Sequence, residues 1–585
     1  MDITILLRKN LMATVAVLVL LLTSSQGFCL IKVQIKGVKG VLKENIYALL
    51  EIYRERNEKD VSEARVRQLF HKGFKDIRRA LEPFGYFTPQ IKGKLSISHK
   101  GNWHVVYYVK KGVPVRIRQL DIKIEGEGAQ DKNLVLTPPF KKGDRFKQKP
   151  YEEFKEKLLE TARANGYLSA RLTCHKVIVD PKNHTADICL HLDSGPHYRF
   201  GPLKFRQATL SPIFLRRFAD FKYGDPLDIT RLGRFRSRLL DTDYFQDVKI
   251  DYSTDAADKE NAIPIDVTLP MKKPNVFRLG LGYVSDVGSR VTLEWKRRYI
   301  GRWGHHFRLK FQFSPEDTLW SGEYFVPLSK PYSDYFSIKP FIEHYDTDAR
   351  NGWKYNVALT YSKATGSGWR RNAGINFGYE NYRAGGEDDD SKELVPFVSW
   401  YKSKADNVLY ANRGYSVRFA LSGEIGGFFA NQSYLSSLMN TKIIRRFARD
   451  YRIIARMDAG VIASKDIDGI PSSARFYAGG QNSIRGYSLE ELGPVNPKTG
   501  HVTGGRYLAV GSLELERHIY KMFSGAIFVD AGNSFDPDYK NRLEVGTGFG
   551  LRLRTPLGPI RLDFGFGVSE NPVPFKFYLS VGPDF

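Results

Sequence analysis

The residues best suited to chemistry lie in one glycine-rich segment of this 585-residue chain, which runs from Phe476 to Tyr487 and reads F-Y-A-G-G-Q-N-S-I-R-G-Y. Glycines let the backbone turn sharply, and Arg485 adds a permanent charge that can pair with a carboxylate. The alternative is a surface loop whose arginine is incidental. The segment is called the arginine motif below, and its candidate site residues are Gly479, Gly480, Ser483, Ile484, Arg485, Gly486 and Tyr487.

Covalent catalysis is not indicated elsewhere in the sequence. The motifs H-E-x-x-H, G-x-x-x-x-G-K-S/T and G-x-S-x-G are missing, so we expect no enzyme activity, no catalytic residue, no cofactor and no metal site. The acidic run at residues 387–390 offers carboxylates for a divalent cation, but its spacing matches no calcium loop. A solvated loop on the outer side is therefore the favoured interpretation of that run.

The N-terminus predicts export. Arg8 and Lys9 precede the apolar run from Leu11 to Leu22, and small residues follow up to Gly27. The run is shorter than the roughly 20 residues that a spanning helix needs, and its order of charge, apolar run and small residues is typical of a secretory signal peptide. We assign residues 1–27 to that peptide. With 26% charged residues, the chain is too polar for a helical membrane protein.

Three similar units follow the signal peptide. Gly85-Tyr86-Phe87 recurs as Gly166-Tyr167-Leu168 and, more loosely, as Asp243-Tyr244-Phe245. Each tyrosine closes a helical stretch and precedes two short strands, so each unit is predicted to be a small β-α-α-β-β domain. The predicted domains span residues 28–112, 113–196 and 197–274.

These units carry most of the net charge of +25. Between residues 28 and 274, 47 lysines and arginines accompany 31 acidic residues, an excess of 16. No nucleic-acid-binding module accompanies that charge, and an exported chain does not meet nucleic acid. Solvated faces, anionic lipid headgroups or acidic clients are the favoured explanations.

Cys174 and Cys189 flank a predicted hairpin turn in the second unit. A pairing in which residue numbers sum to 363 places them opposite each other, and export leads to an oxidising compartment. We expect a disulfide between them. The alternative is two unpaired small residues, because a shift of one residue would separate the thiols.

From Val276 onward, apolar and polar residues alternate with the period of a strand. Phe277, Leu279 and Leu281 fall on one face, while glycines and an arginine fall on the other. About 16 such segments follow, and their apolar faces are rich in aromatic residues, unlike the aliphatic core of a soluble sandwich. Residues 275–585 are therefore predicted to form an antiparallel transmembrane β-barrel.

The predicted barrel indicates where the candidate residues lie. The arginine motif lies between the eleventh and twelfth strands, and Arg485 is expected inside the barrel, paired with Asp530, Glu544 or Asp563. Closure pairs the first strand with the last, where Gly582 and Pro583 weaken the strand, so the seam should be short or kinked. The predicted seam residues are Phe277, Leu279, Leu281, Phe577, Leu579, Val581 and Phe585.

Several of these segments resemble one family. Residues 483–487 resemble the V/I-R-G-F/Y loop motif of the outer-membrane protein insertion and two-partner secretion porin superfamily. The segments V-D-A-G-N at 529–533 and G-T-G-F-G-L-R-L-R-T-P-L-G at 546–558, with an aromatic final strand, are similar to other features of that superfamily. The three N-terminal units resemble its POTRA domains.

The number of N-terminal units indicates which family within the superfamily this chain resembles. Three POTRA-like domains resemble the TamA family, the translocation and assembly module subunit, whereas five would suggest BamA and two a two-partner secretion transporter. The resemblance implies a barrel in a gram-negative outer membrane with its POTRA-like domains in the periplasm. It also implies a TamB-like inner-membrane-anchored partner, unfolded outer-membrane protein clients such as autotransporters, and outer-membrane lipids. A channel that secretes unfolded polypeptide is the alternative.

Overall fold

The computed structural model describes residues 31–58, 61–98, 102–207, 209–427, 432–465, 467, 469–538, 542–556 and 558–585. The predicted signal peptide lies outside this range. The chain divides into two compact units, one made of Met1–Pro202, Phe221–Thr230 and Tyr252–Pro264, the other of Leu203–Asp220, Arg231–Asp251 and Ile265–Phe585. Among the described residues, no helix is both long enough and apolar enough to cross a bilayer.

The first domain packs helices against a three-stranded sheet of order β1-β3-β2. Its longest helix begins after Ser62, whose hydroxyl accepts a hydrogen bond from the Arg65 amide, and it buries an apolar stripe that includes Val66, Leu69 and Ile77. The elements are β1 (Ile31–Lys36), α1 (Val41–Leu49), α2 (Glu51–Arg54), α3 (Glu63–Leu81), β2 (Gln90–Ile97) and β3 (Trp103–Lys110).

The second domain departs from the predicted pattern. Its sheet has the order β4-β6-β5, but a 3-10 turn at Glu127–Gln130 stands where the first of two helices was predicted. Pro138 and Pro139 lie in the long connection that follows, and proline cannot donate to a helix. The elements are β4 (Arg116–Glu125), α4 (Gln148–Ala164), β5 (Arg171–Asp180) and β6 (Thr185–Asp193).

The third domain restores two helices and has a sheet of order β7-β9-β8. Its elements are β7 (Arg199–Arg206), α5 (Pro212–Arg216), α6 (Ile229–Leu240), β8 (Lys249–Asp251) and β9 (Ala262–Thr268).

The repeated tripeptide marks one backbone position that all three domains need. Gly85, Gly166 and Asp243 have φ angles of 84°, 90° and 63°, in the left-handed region that glycine adopts at little cost. Asp243 is the exception, and its carboxylate is held by Lys272 at 2.7 Å, Lys296 at 3.2 Å and Arg298 at 3.0 Å. Burial would raise the pKa of this carboxyl, but hydrogen bonds from the three cations outweigh burial and hold the pKa well below its usual range.

A disulfide joins Cys174 and Cys189, whose Cα atoms are 5.9 Å apart. The predicted register is wrong, because a bulge at residues 172–174 pairs Cys174 with His191 instead, so the two cysteines are diagonal neighbours. A two-residue offset keeps side chains on the same face of a sheet, which brings the sulfurs together. Cys189 also lies near Asp121 and His191, but the disulfide leaves it no thiolate for a metal ion.

The predicted β-barrel is confirmed. Sixteen strands, all within the described residues, close into a barrel in sequence order through antiparallel pairs. They are β10 (Asn275–Val284), β11 (Gly288–Ile300), β12 (His305–Phe313), β13 (Asp317–Pro327), β14 (Asp334–Asp346), β15 (Arg350–Ala364), β16 (Arg370–Ala384), β17 (Glu387–Ala405), β18 (Arg413–Glu424), β19 (Tyr434–Arg446), β20 (Tyr451–Ser464), β21 (Tyr507–Tyr520), β22 (Phe523–Phe535), β23 (Glu544–Thr555), β24 (Gly558–Gly567) and β25 (Phe575–Val581).

The acidic run at residues 387–390 is not a loop, and that interpretation is wrong. It forms the start of β17 and pairs with β16 beyond a tight turn at Gly385 and Gly386. Arg383 donates two hydrogen bonds of 2.8 Å to Asp388 across the hairpin. Cross-strand pairing therefore extends the strand into sequence that composition alone assigns to a loop.

Removing the disulfide should loosen the second domain. The crosslink spans 15 residues, and a loop of that size contributes about 3 kcal/mol in the chain-entropy account. We expect Cys174→Ala with Cys189→Ala to speed amide hydrogen exchange in β5 and β6 while β1–β3 exchange as in the wild type. Reduced wild-type protein is the control and should behave like the variant. Labelling of both thiols in unreduced, denatured wild-type protein would contradict the pairing.

Candidate functional site

The connection between β20 and β21 folds into the interior of the barrel instead of lying on its surface. Ile484 and Tyr487 are fully buried, and Arg485 is 2% exposed. Within the connection, the backbone of Phe476 pairs with that of Gly505 and the backbone of Ala478 pairs with that of Leu492. The connection is called the inner loop below.

Arg485 reaches three carboxylates at once. Its Nε and Nη2 donate to the two oxygens of Asp530 at 2.7 and 2.9 Å, and its Nη1 donates to Glu514 at 2.7 Å. The Asp563 carboxylate lies 3.5 Å from the same Nη1 atom. The guanidinium also stacks 3.4 Å from the centre of the Phe528 ring. A planar fork of donors suits this arrangement, which a lysine could not reproduce.

Two of the three partners named from the sequence, Asp530 and Asp563, are therefore beside Arg485, and Glu544 is not. Glu544 instead accepts a hydrogen bond of 3.1 Å from the hydroxyl of Tyr487 and pairs with Arg542. Sequence reasoning missed Glu514. The alternation of residues in β21 could have identified it, because Leu513 is exposed on the outer face and the next residue, Glu514, must then point inward.

A second arginine completes the cluster. Arg552 of β23 is buried and bridges Glu514 and Asp563, at 2.7 Å from each. Glu516 of β21 lies 3.5 Å from Arg552 as well. Two guanidiniums thus face four carboxylates, and the cluster ties the inner loop to strands β21 to β24. Removing one partner from such a buried group leaves an uncompensated charge, which typically costs about 3 to 5 kcal/mol.

Glycines on the wall make room for the loop backbone. A Cβ atom on Gly546 would stand 1.8 Å from the Arg485 carbonyl oxygen, and one on Gly486 would stand 2.5 Å from the Gly567 nitrogen. Gly486 also has a φ of 107°, which only glycine adopts easily. Tyr578 of β25 completes the contact, since its hydroxyl accepts from the Gly486 amide at 2.9 Å and donates to the Tyr487 carbonyl at 2.7 Å.

The inner loop has a second anchor on the opposite strands. Ser472 donates to Glu380 at 2.7 Å, and the Ser473 amide donates to the same carboxylate at 3.1 Å. Lys354 neutralises Glu380 at 3.3 Å and Glu393 at 3.0 Å. The loop is therefore fixed to β15, β16 and β17 as well as to the strands around Arg485.

The seam between the first and last strands is very short. Val284 and Ser580 form the one register pair between β10 and β25 in the described residues. Phe277, Leu279 and Leu281 are 75%, 66% and 77% exposed along β10. The other predicted seam residues, Phe577, Leu579 and Val581, lie on β25 and pair with β24.

Phe585 is not part of the seam, and its assignment to the last strand is wrong. β25 ends at Val581, and the chain then turns inward, because Pro583 has no amide to donate to a strand. Asp584 is buried and pairs with Arg452 and Arg561, each at 2.7 Å. Phe585 packs beside a buried cluster of Ala411, Ile444 and Ile454.

Comparisons with known proteins match both parts of the chain. The profile of the Omp85 superfamily domain matches residues 277–585, and that of the POTRA domain TamA domain 1 matches residues 32–111. The outer membrane protein assembly factor BamA of Nitratidesulfovibrio vulgaris is 24% identical over 393 residues, which cover 62% of this chain and 48% of that relative.

A mouse protein and a solved structure are also similar to this chain. The sorting and assembly machinery component 50 homolog of Mus musculus is 24% identical over 376 residues, which cover 60% of this chain and 77% of that protein. The crystal structure of BamA from Haemophilus ducreyi lacking POTRA domains 1–3 superposes with a TM-score of 0.68 at 17% identity. The superposition covers 80% of this chain and 99% of that one, which shows a common fold.

Replacing Arg485 should release the inner loop. Arg485→Ala leaves Asp530 and Glu514 short of a cation, so we expect a loss of about 3 to 5 kcal/mol in barrel stability and faster proteolysis of the loop. Arg485→Lys should restore part of that loss, because it keeps the charge without the fork. Lys498→Ala, an exposed change in the same connection, is the control. Equal heat-modifiable gel migration and proteolysis for Arg485→Ala and wild type would contradict the anchoring role.

A methyl group on the wall should have a similar effect without changing any charge. Gly546→Ala collides with the Arg485 carbonyl, so the loop must move away and its amides should exchange faster with solvent. Gly511→Ala is a matched change on β21, where the nearest atom to an added Cβ is 4.0 Å away. Hydrogen exchange across residues 476–492 measures both variants, and equal protection in the two would show that the close approach is unimportant.

Proposed function

The chain belongs to the Omp85 superfamily, and we propose that it inserts client β-barrel proteins into a gram-negative outer membrane without covalent chemistry. The observation that carries this proposal is the seam, where one residue pair joins β10 to β25. An antiparallel pair of full length would bond along the whole strand, as β10 does with β11 over ten pairs. The wall is therefore weakest at the seam.

A weak seam supplies what a client strand needs. An unpaired strand in lipid leaves backbone N–H and C=O groups without partners, each at a cost of several kcal/mol. The free edge of β10 can offer such a strand its missing hydrogen bonds, and the exposed Phe277, Leu279 and Leu281 on its outer face suit a lipid environment. The client would add to this edge and pass sideways into the membrane.

The inner loop contacts both sides of the seam. The backbone amide of Gln481 donates to Asp286, just after β10, and its side-chain amide donates to Ser580 of β25 at 2.8 Å. Gln481 lies four residues before Arg485. We infer that the anchored arginine holds Gln481 in place and that the loop controls how readily the seam separates.

Within the Omp85 superfamily, we propose that the chain belongs to the TamA family. Three POTRA-like domains and the match of the first to the TamA profile support it. On this assignment the POTRA-like domains lie in the periplasm and meet a TamB-like protein anchored in the inner membrane, the clients are autotransporters and other unfolded barrel proteins, and outer-membrane lipids are further partners. A lipid-transport role is part of the same proposal.

A secretion channel is the alternative function. It would pass an unfolded chain through the lumen, where the inner loop is held at two anchors, so the loop would have to leave first. Photocrosslinkers at outward positions of β10 and at lumen positions of β18 distinguish the two. Client adducts at β10 favour insertion, whereas adducts along the lumen favour secretion.

Locking the seam should stop insertion. A disulfide made by Val284→Cys with Ser580→Cys joins the paired residues, so we expect client assembly to fall in oxidised membranes and to return on reduction. Thr292→Cys with Gln312→Cys locks a paired position between β11 and β12 and should leave assembly unchanged. Full activity with the seam disulfide shown to be formed would exclude lateral opening at this place.

A further inference from the structure

Three arginines on one face of α6 converge on a single carboxylate. Asp220 lies 3.2 Å from Arg234, 3.2 Å from Arg238 and 3.8 Å from Arg231. Their spacing along the helix places them on the same side. Arg234 and Arg238 share the one carboxylate of Asp220, so these two guanidiniums keep an excess of positive charge. The three arginines are called the arginine cluster below.

The arginine cluster lies beside barrel turns at the end where the chain enters β10. Arg238 stacks 4.2 Å from the ring of Tyr332, which belongs to the turn between β13 and β14. Arg217, on the preceding segment, donates to the carbonyls of Leu328 and Ser329 in that turn. The turns after β11 and β13 lie at the entry end, because β10 leads away from that end and successive strands alternate in direction.

Exposed apolar and cationic residues also lie on α5 and in the neighbouring turns. The Ser211 amide at the start of α5 donates to the Arg302 carbonyl in the turn between β11 and β12, at 2.8 Å. Ile213 on α5 is 65% exposed and Trp303 of that turn is 47% exposed. Lys330 in the next turn is exposed as well. Tryptophan beside basic residues at a barrel rim is typical of a membrane interface.

We propose that the arginine cluster binds the phosphate of an anionic phospholipid in the leaflet next to the POTRA-like domains. Guanidinium groups bind phosphate through paired donors, and here Arg234 has half of its side chain open to a ligand. Ile213 and Trp303 would contact the upper acyl chains while the headgroup meets the cluster. The site rests on the proposed membrane location, and it would fix the third domain against the bilayer beside the barrel.

The third domain is already held to the barrel without lipid, which separates this role from folding. Tyr244 donates to the Gly304 carbonyl at 2.6 Å, and Asp243 pairs with Lys296 and Arg298 of β11. Loss of the phosphate contact should therefore reduce lipid retention and leave the barrel intact.

Helix α6 offers a matched pair of variants for the test. Arg234 and Arg236 are 52% and 49% exposed, but Arg236 pairs with Asp247 and not with Asp220. Arg234→Gln and Arg236→Gln remove the same charge from the same helix. Heat-modifiable migration should be equal for both variants, and an assembly assay reports on the proposed function separately.

The measurement is native mass spectrometry of the full chain in detergent, titrated with phosphatidylglycerol or phosphatidylcholine. We expect the wild type to retain phosphatidylglycerol preferentially and Arg234→Gln to lose about fivefold in affinity, the equivalent of about 1 kcal/mol for one arginine at a charged surface. Arg236→Gln should keep wild-type affinity.

Three results would overturn the proposal. They are equal retention of the two lipids, equal losses in the two variants, and displacement of phosphatidylglycerol by an acidic peptide, which would assign the cluster to a protein client. Competition by inorganic phosphate at concentrations that match the lipid would show that the headgroup alone is recognised and that Ile213 and Trp303 play no part.

Discussion

The buried contact between Arg485 and the carboxylates of Asp530 and Glu514 is the interaction on which the interior of this barrel depends. It joins a long connection to the wall strands β21 and β22 at a place that water hardly reaches. Charges in such a place are costly to bury and more costly to leave unpaired, so the contact contributes little net stability but strongly favours one position of the loop. The charges thereby fix the position of the loop, and its residues Ala478, Ile484, Tyr487 and Leu492 also pack with Val510 in a buried apolar cluster.

That constraint extends to the wall. The loop backbone approaches β23 and β24 so closely that Gly546 and Gly565 have no space for a side chain. From this position Gln481 contacts β25 and Asp286, which lies just after β10. The inward turn at Pro583 removes the last residues from pairing with β10. A strong interior anchor and a weak wall joint thus lie a few residues apart, which is what the proposed lateral opening requires.

The N-terminal domains share one tripeptide that serves two structural purposes. Their shared tripeptide supplies a left-handed backbone position followed by a buried tyrosine, and glycine serves in the first two domains. In the third, Asp243 occupies that position and binds Lys296 and Arg298 of β11. The local backbone requirement and the junction with the barrel are therefore met by one residue, and the basic face of α6 is left beside the barrel rim.

The sequence by itself determined the domain order, most strand positions, the barrel with its inward and outward faces, and the inward position of Arg485, because strand alternation and turn residues are local signals. It could not determine the register at Cys174, the strand at residues 387–390 or the single helix of the second domain, since bulges and cross-strand pairs depend on neighbours. Only the tertiary structure selected Glu514 over Glu544 as a partner of Arg485 and turned Phe585 away from the seam. Both outcomes depend on distances between strands far apart in the chain, and alternation identifies which side chains face inward but not which of them meet.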